Sequence, residues 1–108
     1  MNRVFVPIAM AALSCAANGA DQPADHRLKL EFDELSAKAT AGIGTVNFME
    51  RRANEDGLSL HPNLIAQRAL VQSSMDDAQE ALRANDMDAL RTRLDRARGI
   101  IDRLYRMF

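Results

Sequence analysis

From Leu28 onward, apolar residues return every three or four positions. Leu28, Phe32, Leu35, Ala39, Gly42, Val46, Met49 and Ala53 hold that step without a break. It is the spacing that gathers side chains along one side of an α-helix. The last segment repeats it with Met87, Leu90, Leu94, Ala97, Ile101, Leu104 and Phe108. Between them Leu64, Val71, Met75, Ala78 and Leu82 continue the rule, with Gln67 and Arg68 as its gap. No strand-like alternation competes, so three helices are predicted.

Chemistry at the segment ends supports those divisions. Gly57 stands where a helix C-terminus favours a left-handed residue, and Arg51 and Arg52 suit the negative end of the helix dipole. Pro62 fits a first helical position, where its missing N–H is not needed. Asn85 suits a left-handed end and Asp86 an N-cap. The connection between them is short enough to make the second and third helices antiparallel neighbours. The expected fold is all-α: an up-down-up three-helix bundle over 25–56, 62–84 and 86–108, following an N-terminal leader. Gly42 and Gly44 each cost about 1 kcal/mol in a helix interior. A break there would give four helices, but the apolar phase runs across both glycines and favours one continuous helix.

The first helix carries a second apolar line: Leu30, Ala37, Ala41, Gly44 and Phe48. At about 100° per residue it lies opposite the first. A surface helix of a small bundle needs only one such stripe. The second line therefore marks these five as candidate partner-binding residues, for self-association through helix one or for a partner's helix. Two other arrangements compete: helices two and three could wrap around helix one, or Leu30 and Phe48 could be scattered surface apolars. Glu34 interrupts the line.

The chain opens "MNRVFVPIAMAALSCAA", with Arg3 ahead of the uncharged run from Val4 to Ala17. That run is too short to span a bilayer and suits the apolar region of a signal peptide. The leader resembles bacterial signal peptides, and "ALSC" resembles the lipobox of bacterial lipoproteins. Ser14 and Cys15 match that pattern, whereas Ala12 stands where the family prefers Leu. The resemblance implies cleavage and lipidation at Cys15, and the small, polar "AANGADQPAD" that follows reads as a tether. An ordinary signal peptidase cutting after Ala16 or Ala17 would instead discard Cys15. The expected organisation is a signal peptide over 1–15, a tether over 16–24 and a helical bundle over 25–108. The product is exported to the periplasm, either free or anchored to the outer membrane through Cys15.

Composition narrows the chemistry. A single cysteine allows no intrachain disulfide. The formal charge is −1, and loss of Arg3 leaves about −2, which gives no electrostatic footprint for nucleic acid. His26 and His61 lie near helix ends, outside any His-x-x-x-His or Glu-x-x-His spacing, so no metal site is predicted. Met49, Met75 and Met87 fall on core positions. "GIGTVN" lacks the preceding strand and the lysine of a phosphate loop. Ser36, Ser73 and Ser74 have no histidine at helical spacing, so no catalytic residue is predicted. The six arginines of helix three, from Arg91 to Arg106, could form a basic strip for anionic lipid. Asp95 and Asp102, four residues after Arg91 and Arg98, favour a self-paired solvated face.

The expectation is a small exported, non-enzymatic helical protein of the bacterial envelope. It acts by protein–protein contact, has no cofactor, and meets a membrane only through a lipid anchor. The alternative is a periplasmic bundle that holds a metal or small ligand between its helices.

Overall fold

Two helix ends set the topology. The computed structural model gives helices α1 (Asn2–Glu55), α2 (Pro62–Arg83) and α3 (Met87–Arg106). Side chains are described from Pro23 to Phe108. The leader, Cys15 and all but the last two tether residues lie outside these described side chains.

At the end of α1, Gly57 takes φ +76°. Its N–H donates to the Asn54 carbonyl at 3.0 Å, and the Leu58 N–H reaches back to the Ala53 carbonyl at 2.8 Å. At the end of α2, Asn85 takes φ +58°. Its N–H donates to the Leu82 carbonyl, and the Asp86 N–H donates to the Ala81 carbonyl. Both ends form the paired hydrogen bonds of a Schellman motif, which satisfies carbonyls that the helix leaves open. Asp86 then caps α3 by accepting the Ala89 N–H on its carboxylate at 3.1 Å. His61 caps α2, its Nδ1 accepting the Asn63 N–H at 3.1 Å, with Pro62 in the first turn. Asn85, Asp86, Gly57 and Pro62 each do what the sequence predicts of them.

The three helices form the expected up-down-up bundle. Leu28, Leu35, Ala39, Gly42 and Val46 of α1 are buried in the bundle, as are Leu64, Val71, Ala78 and Ala81 of α2. The innermost row comes from α3: Leu90, Leu94, Ala97, Ile101 and Leu104 are all but fully enclosed. Leu60, in the α1–α2 connection, closes one end of the core, while Leu58 beside it stays exposed. α1 runs unbroken through both glycines. At Gly42 a Cβ would come 3.1 Å from both Leu104 Cδ2 and Tyr105 Cε1, so this glycine lets α3 lie close. At Gly44 there is open space.

Some positions differ from expectation. Gln67, the gap in the α2 pattern, is buried and donates through Nε2 to the Ile100 carbonyl of α3 at 3.0 Å. A buried amide is tolerated when it is hydrogen-bonded in this way. Ser74 is also buried and turns its hydroxyl back to the Val71 carbonyl. Phe108, assigned to the core by its spacing, is about half exposed because α3 ends at Arg106.

Replacing Ile101 with Ala should remove about 2–5 kcal/mol of stability by opening a cavity in the innermost row. Leu58→Ala should change it by less than about 0.5 kcal/mol. Urea unfolding followed by circular dichroism separates these outcomes, and equal effects would contradict the packing described.

Candidate functional site

The second apolar line of α1 lies outside the bundle. Leu30 and Phe48 are 47% and 52% exposed, and Ala37, Ala41 and Gly44 between them are also exposed. α2 and α3 pack on the opposite side of α1, so they do not wrap around this face. Leu30 and Phe48 stand 18 residues apart, about 27 Å along the helix axis. Ala37, Ala41 and Gly44 make the middle of the face a shallow trough between these two bulky residues, with Glu34 projecting between Leu30 and Ala37. Arg52 lies over the Phe48 ring at 5.9 Å, a distance at which a cation is attracted to the ring face.

Charges on α1 divide by the direction they face. Those on its flanks are tied to the other helices. Glu31 pairs with Arg98 of α3 at 3.1 Å, and Lys38 pairs with Asp102 at 3.5 Å. Glu50 accepts from Arg68 of α2 at 2.9 Å, and Asn47 accepts from the same guanidinium nitrogen at 2.8 Å. The Arg68 hydrogen bond lowers the Glu50 carboxyl from its ordinary value; burial opposes this and the arginine's charge adds to it. By contrast Asp33, Glu34, Arg51, Arg52 and Glu55 make no ion pair among the described residues. All five lie along or beside the apolar line: Asp33 and Arg51, five turns apart, share one edge of it, and Glu34 and Arg52 share the other.

The arginines of α3 pair differently from the sequence expectation. Arg91 meets Asp88 at 3.7 Å and Arg98 meets Asp95 at 3.0 Å, each three residues back. Asp102 is taken by Lys38, and Arg98 reaches Glu31 as well. An acid on the N-terminal side of its base is the favoured orientation on a helix, and α1 supplies partners that spacing within α3 cannot reveal. Tyr105 is a further interhelical tie that periodicity does not mark. Its hydroxyl donates to the Lys38 carbonyl at 2.8 Å, the Lys38 ammonium lies 5.2 Å from its ring centre, and Phe108 meets it edge to face.

Two surface hollows accompany these charges. One, of about 380 Å³, lies between α1 and α3 and is lined by Glu31, Glu34, Leu35, Lys38, Arg98 and Asp102. The other, of about 560 Å³, includes Asp77, Asp86, Asp88, Arg93 and Arg96 near the start of α3. Both mix acids with bases. Among the described residues no three His, Cys, Asp or Glu side chains are grouped to hold a metal, and no helix is long and apolar enough to cross a membrane. His26 and His61 are exposed. Comparison of the chain with protein-family models, with curated proteins and with solved structures finds no match.

The Glu50–Arg68 bond yields a pH prediction. A carboxyl lowered in the folded state contributes stability above its unfolded value, about pH 4.3, and loses it as pH falls through the lowered folded value. Glu50→Gln should therefore lower the urea midpoint at pH 7 and leave it nearly unchanged at the acid end. A difference of equal size at both ends would contradict the assignment.

Proposed function

We propose that this protein is a small exported helical module of the bacterial envelope that works by binding another protein chain, and that the contact is made by the outer face of α1. The observation that carries this reading is the exposed line Leu30, Ala37, Ala41, Gly44 and Phe48. The bundle already buries a complete stripe of α1, so its packing does not call for a second one. Large apolar side chains at the ends and small ones between them suit a helix laid along the trough. Both side chains are already half covered, so burying the remainder of each stabilises such a contact by roughly 0.7–1.5 kcal/mol per residue. The role is that of a scaffold, adaptor or chaperone-like factor.

Export and anchoring rest on the leader. Basic Arg3, the short apolar run and the "ALSC" sequence support a signal peptide whose processing places Cys15 at the new N-terminus, there to be lipidated. The bundle then stands off the membrane on the segment after Cys15.

Two measurements test these statements. The variant Leu30→Glu/Phe48→Glu should keep its helicity and its stability within about 0.5 kcal/mol, because both side chains are already half in water. It should lose self-association or cross-linking to a partner in the host; unchanged association would show the face to be idle. Intact mass of the mature protein from host membranes should give a species beginning at Cys15 with added lipid. A soluble, unmodified species beginning after Ala16 or Ala17 would remove the anchor.

A further inference from the structure

We infer that the occupant of the outer α1 face is a second copy of this chain, laid antiparallel; the inference rests on the contact proposed above and names its partner. With its flanking charges, the line reads Glu34, Ala37, Ala41, Gly44, Phe48, Arg51. The steps between these residues are three, four, three, four and three, which read the same in both directions. Reversing the helix about the midpoint between Ala41 and Gly44 therefore superimposes the positions. This register sets opposite charges and large-on-small pairs along the line, and at its ends it places Leu30 opposite Glu55 of the second copy. Glu34 meets Arg51 of the second copy, Ala37 meets Phe48, and Ala41 meets Gly44, with every pairing made twice by the two-fold axis.

Size and charge agree in this register. The bulky Phe48 settles over the small Ala37, and the two smallest residues lie at the crossing point, where the backbones approach most closely. Glu34, which breaks the apolar line within one chain, becomes the ionic partner of Arg51. Both are exposed and make no ion pair among the described residues of their own chain. A parallel pairing in register would set Glu34 on Glu34 and Arg51 on Arg51, and like charges at a seam are repelled. Sliding the antiparallel pair by one heptad toward a Leu30–Phe48 contact would set Arg51 against Arg27 and leave Glu34 facing Gly44. Of these three arrangements, the antiparallel register centred on Ala41 and Gly44 is the one that pairs Glu34 with Arg51.

The test is sedimentation equilibrium on the host-processed protein, with charge reversals at the two seam positions. The wild type should dimerise reversibly. Glu34→Arg and Arg51→Glu should each weaken the dimer by about tenfold or more, since each places like charges in both ionic layers. The double variant Glu34→Arg/Arg51→Glu should recover the wild-type constant, and an equimolar mixture of the two single variants should form a heterodimer. Circular dichroism on each variant confirms that the bundle is intact. A wild type that stays monomeric at every concentration overturns self-pairing. In that case cross-linking of a different host protein that is lost in Leu30→Glu/Phe48→Glu would leave the broader contact reading standing. A dimer abolished by Leu30→Glu/Phe48→Glu but indifferent to the reversals overturns this register alone. A dimer indifferent to all the variants overturns both readings.

Discussion

The arrangement of this bundle depends on how closely α3 can lie against α1 at Gly42. A Cβ there would come 3.1 Å from side-chain atoms of Leu104 and Tyr105, so without one α3 lies close to α1 around Leu104. The same approach brings the Tyr105 hydroxyl within 2.8 Å of the Lys38 carbonyl and sets Lys38 beside both the Tyr105 ring and Asp102. These contacts fix the rotation of α1 about its own axis. Once the Gly42 side is turned inward, Ala41 and Gly44 lie outward, and the exposed line follows from the buried one.

The polar ties around the core set alignment more than total stability. Pairs that are a fifth to a half exposed contribute little in themselves. Their geometry is nevertheless selective: Arg68 meets two residues of α1, Arg98 meets Glu31, and Gln67 meets the Ile100 carbonyl. A slip of one helical turn along either interface would break several of these at once. Apolar packing among Leu, Val, Ile and Ala tolerates such slips more readily, so the polar ties are what make one alignment preferable to its neighbours.

Much of the fold was legible because the information is local. A four-and-three step in apolar residues, a glycine or asparagine after a helix and an aspartate before one act within a turn or two. Such signals placed the three helices and both Schellman ends. The misses have a common physical origin. Gln67, Arg68, Lys38 and Tyr105 take their roles from residues 18 to 67 positions away, and spacing within one segment carries no record of those partners. Phe108 keeps the apolar rhythm after the helix has ended, so periodicity overreached there. For the candidate site, the sequence showed the second line on α1. Its exposure had to come from the structure, because three helices can in principle surround either stripe.

The α2–α3 turn at Asn85 has a consequence for the order in which the chain folds. Helices joined by so short a turn meet at low loop-closure cost, and contacts close in sequence form quickly. α1 by itself has only a stripe of apolar residues with nothing to cover it. The row that encloses the core belongs to α3, the last of the three helices in chain order. α3 is made after α1 and α2, so those two helices wait for the Leu90-to-Leu104 row before the three-helix core can close.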